Sequence, residues 1–376
     1  MEASEVTDPK FWSGPESRVF APPRLAEEGA AIEGLLAGED SVVFASSGSG
    51  GVPKWTRFRR KSLLASAKAV NRHLEVTAGD RWMLPLPLFH VGGFGIAARA
   101  YLGGCHLRQF AGRWNAMRFA DELEEDGSTL TSLVPTQVHD VVACELRAPT
   151  SLRAVVVGGA RLDEVSGQAA RDLGWPVLQS YGMTEAASQV ATDSLDNLRA
   201  KFRAAPLPIL SSWEHRVSED GCLQLRGESL MDCYLHLESG SLREERPIDD
   251  SGWFVTTDRV EISPEGLTVI GRLDRQVKIL GELVDVQAVE EELREHLPRG
   301  VGVYILHLPD ERRGWRLHPV IESGATAAED VVEFVNERLP GFARLETPRS
   351  VMELPRTALG KVDVAVLRNE FGASSI

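Results

Sequence analysis

Residues 41–55 read SVVFASSGSGGVPKW, an apolar run that ends in a cluster of serine and glycine residues. Pro53 and Lys54 follow the cluster. Glycines and small hydroxyl residues let backbone N–H groups approach an anion, and the lysine adds a positive charge. The spacing does not fit the G-x-x-x-x-G-K-[ST] pattern of P-loop nucleotide-binding proteins. The stretch therefore predicts either a phosphate-binding loop of another kind or a flexible surface loop.

Composition narrows the classes of protein to which this chain can belong. Its 376 residues suffice for two or three domains. A hydrophobic content of 43% and a charged content of 26% are typical of a globular enzyme. The net charge of −14 argues against a nucleic-acid-binding surface, which is usually basic. Any site for an anionic ligand must therefore be built from local cations such as Lys54.

The cysteines and the hydropathy pattern indicate a cytoplasmic protein. The four cysteines are scattered without C-x-x-C spacing, so we expect free thiols in a reducing compartment and no cysteine-bound metal. The first residues show no signal-peptide pattern, and no uncharged apolar run is long enough to cross a membrane.

The middle of the chain alternates strands, glycine-rich turns and helices. A β-branched run at 152–157 stops at Gly158-Gly159-Ala160 and is followed by a helical pattern over 165–173. This alternation predicts α/β layers with a largely parallel sheet. Ligands of such sheets bind where the strands end.

Two further strand ends carry polar residues. Over 81–96 we expect a strand that breaks into a loop carrying His90, which is either a core histidine or a site residue. A strand at 177–180 leads into Tyr181-Gly182-Met183-Thr184-Glu185, after which the pattern is helix-like. That turn fits either a nucleotide and divalent-cation site or a capped strand-to-helix turn.

The last part of the chain changes character twice. Short strands with turn signals over 214–279 predict a β-rich subdomain. Two amphipathic helices with strands between them then predict an α+β unit of roughly 100 residues. Near the end, Lys361 follows Gly360 on a loop that we expect to be exposed.

In order and spacing, these motifs resemble those of the adenylate-forming (acyl-CoA synthetase, AMP-binding) family over about 42–367. Residues 46–54 resemble its phosphate loop, with Gly50 where a hydroxyl residue is usual. The other matching stretches are S-Y-G-x-T-E at 180–185, G-W-F with Asp258 at 252–258, G-R-L-D with Lys278 at 271–282, and 355–361 around the C-terminal lysine. The resemblance implies a large N-terminal domain of layered α/β sheets with a β-rich subdomain over 1–273, shortened at its N-terminus. It also implies a small mobile α+β domain over 274–376.

The resemblance further implies an enzyme that joins a carboxylic acid to coenzyme A through an acyl-adenylate, using ATP and Mg²⁺. Phosphate binding would fall to Ser46, Ser47, Gly48, Ser49, Gly50, Gly51 and Lys54. The adenosine part would be bound by Gly158, Gly159, Ala160, Tyr181, Asp258 and Arg272, and Ser180, Gly182 and Met183 would also belong to the cofactor-binding site. Thr184 would bind the α-phosphate, Glu185 would hold the metal, His90 would border the acyl pocket, and Lys361 would bridge the reacting oxygens. Rotation about Asp274 would present Lys278, Gly281 and Glu282 for thioester formation.

Within the family, residues 84–91 and 132–137 are most similar to the branch that ligates o-succinylbenzoate to CoA in menaquinone synthesis, although Gly92 and Phe94 depart from it. Such a dianion needs a cation for its distal carboxylate, and Arg99, Arg108 and Arg113 are the candidates. Another aryl- or acyl-CoA ligase, or a non-catalytic nucleotide-binding relative, is the alternative. A homodimer is expected only because dimers are common.

Overall fold

The computed structural model describes residues 2–47, 53–298, 300–323, 328–357 and 360–372, with the backbone alone at 46, 47, 53 and 372. The predicted phosphate-loop residues Gly48, Ser49, Gly50 and Gly51 therefore lie outside the described residues, as do the side chains of Ser46 and Ser47.

Helices and strands are named in chain order. The α-helices in the described ranges are α1 (Ala3–Thr7), α2 (Pro9–Ser13), α3 (Ala26–Leu35), α4 (Arg60–His73), α5 (Val91–Gly103), α6 (Ala116–Asp126), α7 (Pro135–Ala143), α8 (Glu164–Asp172), α9 (Val286–His296), α10 (Ala328–Asn336) and α11 (Val364–Gly372). The strands are β1 (Arg18–Phe20), β2 (Ser41–Ser47), β3 (Pro53–Arg59), β4 (Arg81–Leu84), β5 (His106–Gln109), β6 (Leu130–Leu133), β7 (Ala154–Val157), β8 (Val177–Met183), β9 (Ser188–Thr192), β10 (Glu214–Val217), β11 (Cys222–Arg226), β12 (Cys233–Glu238), β13 (Ser241–Glu245), β14 (Phe254–Ser263), β15 (Gly266–Arg272), β16 (Gln276–Ile279), β17 (Glu282–Asp285), β18 (Val303–Asp310), β19 (Gly314–Glu322) and β20 (Arg349–Val351). Short 3-10 turns lie at Pro23–Leu25, Thr184–Ala186, Leu195–Arg199, Leu273–Arg275 and Gly341–Ala343.

A largely parallel sheet carries the predicted motifs. Its strand order is β5-β4-β6-β7-β8-β9, and only the last pair, β8 with β9, is antiparallel. The carboxyl ends of β4, β6, β7 and β8 therefore meet at one edge. The stretch around His90 and the Gly158-Gly159 turn follow these ends, while residues 132–137 and Tyr181–Glu185 begin inside β6 and β8 and run past their ends, so β8 extends three residues beyond the expected 177–180.

Two more sheets complete the part of the chain before Asp274. One has the order β1-β2-β3-β12-β13, so the predicted phosphate loop connects the neighbouring antiparallel strands β2 and β3. The other, β10-β11-β14-β15, is antiparallel and confirms the β-rich subdomain. Beyond Asp274 lie the β16-β17 hairpin and a β18-β19-β20 sheet, with helices packed against them.

Local signals explain where several helices begin and end. Asn115 caps α6 by accepting a hydrogen bond from the Arg118 amide, and Gly127, at a φ of 64°, ends the same helix. Asp163 caps α8 in the same way by accepting from Ser166. These caps satisfy backbone groups that would otherwise lack partners at the helix ends.

An aromatic cluster around Phe94 ties the N-terminal helices to the core. The Phe94 ring lies 5.9 Å from Phe11, 5.8 Å from Trp12, 5.0 Å from Phe20 and 5.1 Å from Phe44, centroid to centroid. Phe94, which stands at a position where the similar branch differs, is thus a core residue and does not line a ligand site.

Two sequence-based element predictions were wrong. Gly92 and Gly93 lie inside α5 and not in a loop. The helix packs closely on the preceding segment at this point, because a Cβ at Gly93 would come within 2.3 Å of the Pro87 carbonyl oxygen and glycine alone permits that packing. The helix expected after Glu185 is the strand β9, which pairs with β8 at the sheet edge. A short apolar run fits either element, and tertiary pairing selects the strand.

None of the helices in the described ranges is both long and apolar enough to cross a lipid bilayer.

Candidate active site

A cavity of about 130 Å³ opens at the carboxyl edge of the six-stranded sheet. Its walls come from the start of α5, the ends of β6 and β7, the β8–β9 turn and the C-terminal lysine loop. The residues that line it are Leu86, His90, Val91, Gly92, Arg99, Ser132, Leu133, Val134, Val156, Gly158, Gly159, Ser180, Gly182, Met183, Thr184, Ser188, Gln189 and Lys361.

The loop that carries Lys361 lies directly against the sheet edge. A Cβ at Gly360, whose φ is +71°, would come within 2.6 Å of Thr136 Oγ1 at the start of α7. The Lys361 side chain reaches the Gly159 turn, where a Cβ would lie 3.9 Å from Lys361 Cε. Two residues further on, Asp363 forms an ion pair with Arg24 at 3.3 Å. Lys361 is thereby held at the mouth of the cavity.

The surroundings of Lys361 lower the pKa of its ammonium group. Lys361 is accessible to solvent in the cavity, and protein surrounds that cavity. Desolvation and the nearby Arg272 lower the pKa of Lys361, while Asp258 and Glu185 act in the opposite direction. A partly desolvated cation interacts more strongly with an anionic ligand than one in bulk water.

His90 also lines the cavity. Burial and the charge of Lys361 lower its pKa to about 4, so the ring is neutral at pH 7. Its Nε2 is buried and has no hydrogen-bond partner within the described residues. Because a buried polar atom is normally satisfied, this nitrogen is available to a ligand in the cavity.

Tyr181, Asp258 and Arg272 form a polar group beside the cavity. The Tyr181 hydroxyl donates to Asp258 Oδ2, and Arg272 Nη1 lies 3.1 Å from Asp258 Oδ1. Arg272 also donates to both carboxylate oxygens of Asp274, each at 2.8 Å. Each Asp258 oxygen keeps a further lone pair with which to accept a hydrogen bond from a ribose hydroxyl.

Glu185 belongs to a second polar group, with Tyr234 and Lys54. The Tyr234 hydroxyl donates to Glu185 Oε1 at 2.8 Å, and Lys54 Nζ lies 4.9 Å from the centre of the Tyr234 ring. Within the described ranges, no set of three or more acidic, histidine or cysteine side chains is arranged to hold a metal ion. One carboxylate nevertheless fits Mg²⁺, which commonly takes one or two protein carboxylates and completes its shell with phosphates and water.

Arg99 is the most unusual polar residue of the cavity. Its side chain is 2% exposed, and burial alone lowers its pKa to about 10, so it remains charged at pH 7. Its contacts are an Nη2 hydrogen bond to Ser188 Oγ at 3.3 Å and a distant approach to the Trp82 ring at 5.9 Å. Its Nε is buried without a partner among the described residues. A buried charge without a counter-ion is costly, which marks this end of the cavity as a place for an anion.

The other two arginine candidates lie elsewhere. Arg108 pairs with Glu122 at 3.2 Å, and Arg113 is exposed. Neither lines the cavity. Of the three, Arg99 is the one that lines the cavity.

Most of the predicted site residues come together. His90, Gly158, Gly159, Ser180, Gly182, Met183, Thr184 and Lys361 line the cavity, and Tyr181, Glu185, Asp258 and Arg272 lie beside it. Ala160 follows the Gly158-Gly159 turn without lining the cavity, and its carbonyl accepts a hydrogen bond from Gln179. Lys278, Gly281 and Glu282 lie on the exposed β16-β17 hairpin, where the Leu280 amide donates to the Arg313 carbonyl. This arrangement does not bring the hairpin into the cavity.

Tyr234, Ser188 and Gln189 are site residues that sequence reasoning missed. Tyr234 reaches Glu185 because β12 pairs with β3, which has no local sequence signal. The sequence pattern predicted a helix at Ser188 and Gln189 and therefore did not indicate that they line the cavity. Both residues reach the cavity because they lie in the strand β9.

A second, larger groove of about 320 Å³ is lined by Val19, Phe20, Ala21, Pro87, Leu88, Phe89 and Gln109. It contains none of the predicted site residues. We therefore place the chemistry in the smaller cavity, where charged groups converge.

Comparison with known proteins agrees with this geometry. The chain is 32% identical over 312 residues to the 2-succinylbenzoate–CoA ligase of Escherichia coli, an alignment that covers 82% of this chain and 64% of that relative. Thus the chain spans a little under two thirds of the length of that relative.

Solved structures show the same fold. A variant of E. coli MenE with bound OSB-AMS matches with a TM-score of 0.70 at 27% identity, covering 88% of this chain and 68% of that one. The o-succinylbenzoate CoA synthetase (MenE) of Bacillus subtilis, in complex with the acyl-adenylate intermediate OSB-AMP, matches with a TM-score of 0.73 at 23% identity, covering 98% and 81%. At that identity the second match bears on the fold alone. It confirms the predicted adenylate-forming fold.

The family model described as AMP-binding enzyme matches residues 27–235, which is more than half of the chain. This match confirms the predicted family. The chain belongs to the AMP-binding enzyme family.

Proposed function

We propose that this chain is an AMP-forming acid–CoA ligase whose acid is 2-succinylbenzoate. The observation that carries the proposal is the placement of two cations at separate parts of one cavity. Lys361 stands at its mouth, beside the Gly158-Gly159 turn, and Arg99 lies buried without a counter-ion among the described residues. A dicarboxylic acid has one carboxylate for each of them.

The lining of the cavity is compatible with the aromatic part of such an acid. About 130 Å³ is close to the roughly 150 Å³ that admits one benzene ring in a protein interior. Apolar walls from Leu86, Val91, Leu133 and Val156 suit an aromatic ring. The open side of the cavity leaves the reacting carboxylate next to Lys361.

In the first step, a carboxylate oxygen of the acid attacks the α-phosphorus of ATP, and pyrophosphate leaves. Lys361 would bind the carboxylate and α-phosphate oxygens, and Thr184 would donate to the same phosphate. Glu185 would hold Mg²⁺, which neutralises phosphate charge. The first step brings anions together, so catalysis consists mainly of positioning and charge neutralisation.

In the second step, the CoA thiolate attacks the adenylate carbonyl carbon, and AMP leaves. We propose that residues 274–376 form a small domain that turns about Asp274 between the steps. Its lysine loop would serve the first step, and Lys278, Gly281 and Glu282 would serve the second. The contact of Arg272 with Asp274 supports a hinge close to the nucleotide site.

Adenosine binding would use the remaining predicted residues. Tyr181 would stack on adenine, Gly158, Gly159 and Ala160 would border it, and Asp258 and Arg272 would bind the ribose. The phosphate loop and Lys54 would hold the β- and γ-phosphates. We place the reaction in the cytoplasm, in keeping with four unpaired cysteines. A homodimer stays a prediction.

The test is pyrophosphate release from ATP and Mg²⁺ across a panel of acids, each with and without CoA. The panel contains 2-succinylbenzoate, benzoate, and short and long fatty acids. We expect steady turnover with 2-succinylbenzoate only when CoA is added, with AMP as product. Turnover with another acid would contradict the substrate assignment, and ATP binding without pyrophosphate release would contradict catalysis.

The role of Arg99 is tested in the same assay. Arg99→Gln removes the buried charge, so kcat/KM for 2-succinylbenzoate should fall by about 10²-fold. Arg108→Gln is the matched control, because Arg108 pairs with Glu122 away from the cavity. Thermal unfolding of both variants shows whether any loss reflects folding. Equal activities of the two variants would contradict this role.

A further inference from the structure

Ser188 stands between Arg99 and the cavity in a backbone conformation that the surrounding structure imposes. Its φ is +118° and that of Ala187 is +54°, both in a region that L-residues rarely adopt. Such conformations persist only where neighbouring structure over-determines them, and they concentrate at functional sites.

Two contacts impose the conformation. On one side, the Ser188 carbonyl packs so closely on Gly182 that a Cβ at Gly182 would lie 1.7 Å from its oxygen. On the other side, Ser66 in α4 donates its hydroxyl to the Ala187 carbonyl at 2.9 Å. The peptide before Ser188 and the peptide after it are therefore both held.

The result is a hydroxyl aimed at the buried guanidinium. Ser188 Oγ accepts the Arg99 Nη2 hydrogen bond at 3.3 Å and also lines the cavity. Gly95, one turn before Arg99 in α5, leaves the space for this contact. A Cβ there would lie 3.1 Å from Arg99 Nη2 and 3.7 Å from Ser188 Oγ.

We propose that Ser188 is a positioning and specificity-determining residue, whose hydroxyl orients the Arg99 guanidinium toward the second carboxylate of the acid. While its oxygen accepts from Arg99, its own O–H is free to donate to that carboxylate. A serine at this place thus binds both the cation and the anion. The inference rests on the proposed function, since it requires a dicarboxylic acid.

The experiment compares Ser188→Ala and Ser188→Gly on three acids. These are 2-succinylbenzoate and the two monoacids that each lack one of its carboxylates, 4-oxo-4-phenylbutanoate and 2-butanoylbenzoate. Both variants lose the hydroxyl, but glycine alone relieves the positive φ. Ser194→Ala is the control, because Ser194 follows the same strand but does not line the cavity.

We expect both variants to raise KM for 2-succinylbenzoate by about tenfold, with kcat little changed. For the monoacid that the wild type uses better, KM should change by no more than about twofold, because the hydroxyl then has no carboxylate to serve. If Ser188→Ala fails to fold, Ser188→Gly carries the test, since glycine accommodates this backbone.

Three results would overturn the inference. A KM defect in Ser188→Ala that Ser188→Gly repairs would assign the effect to the backbone. If both Ser188 variants prefer the diacid over the monoacids as the wild type does, while Arg99→Gln loses that preference, Ser188 has no role in specificity. The proposed function would then still hold. A wild type that prefers neither 2-succinylbenzoate nor any diacid over the monoacids would overturn the proposed function, and this inference with it.

Discussion

At the scale of single residues, the site is a set of charged groups whose partners determine what they can bind. One oxygen of Glu185 accepts a hydrogen bond from the Tyr234 hydroxyl. Because a hydrogen bond to a metal-binding carboxylate fixes its orientation, Tyr234 should matter for the metal although it does not touch it. The pKa of Tyr234 is raised, chiefly by burial and then by Glu185, so its hydroxyl stays protonated and able to donate.

We therefore expect Tyr234→Phe to increase the Mg²⁺ concentration for half-maximal pyrophosphate release by about tenfold. Tyr101→Phe is the control, since Tyr101 stacks on Trp12 away from the site. The measurement is an Mg²⁺ titration at fixed ATP, repeated as a thermal-shift titration with ATP present. An unchanged Mg²⁺ requirement in Tyr234→Phe would show that Glu185 needs no such support.

At the scale of secondary-structure elements, the β8–β9 pair organises the cavity. The register shifts between Tyr181 and Gly182, and Gly182 then lies against Ser188. An irregular turn of this kind re-aims side chains, which explains why neighbouring residues reach different parts of the site. The turn depends on glycine at 182, because no other residue leaves room for the opposing carbonyl.

Gly182→Ala should accordingly destabilise the protein by about 3 kcal/mol or more, since backbone rather than a flexible side chain opposes the new methyl group. Gly34→Ala is the matched control in α3. There a Cβ meets nothing within 4 Å, and the helix should gain up to about 1 kcal/mol. Urea unfolding midpoints of both variants check this. Identical midpoints would mean that the β8–β9 turn can relax freely.

At the scale of the whole molecule, the C-terminal region contacts the remainder through the stretch that carries Lys361. Gly360 lies on Thr136, Lys361 lies on the Gly159 turn, and Asp363 pairs with Arg24. The hydrophobic cluster that contains Val277, Leu293 and Leu317 is separate from the one that contains Phe44 and Trp82. A moving unit requires a hydrophobic core of its own, and the division at Asp274 stays a prediction.

Breaking the Arg24–Asp363 ion pair should lower the rate of the first step relative to that of the second. Arg24 is 49% exposed, so the pair contributes at most about 1 kcal/mol, and Arg24→Glu should slow pyrophosphate release only severalfold. Thioester formation from supplied acyl-adenylate should be unaffected, because the proposed function assigns Lys361 to the first step alone. Lys361→Ala is the reference variant, in which the rate of the first step alone should fall by about 10²-fold to 10³-fold.

The charge-reversed double variant, Arg24→Glu with Asp363→Arg, is the control for this pair. It should regain most of the lost rate, because the attraction is restored with the opposite polarity. Equal loss in both half-reactions of Arg24→Glu would contradict an effect on domain arrangement.

The sequence by itself determined the family, the alternation of strands and helices, and the residue types of the nucleotide site. These features are local, because consecutive residues are enough to predict a strand that ends in glycine or a capped helix. Only the tertiary structure decided which arginine is buried without a counter-ion, that Tyr234 supports Glu185, and that residues 188–192 form a strand. Each of these depends on contacts between segments far apart in the chain, such as β12 with β3 or α5 with β9, and local propensity carries no information about them.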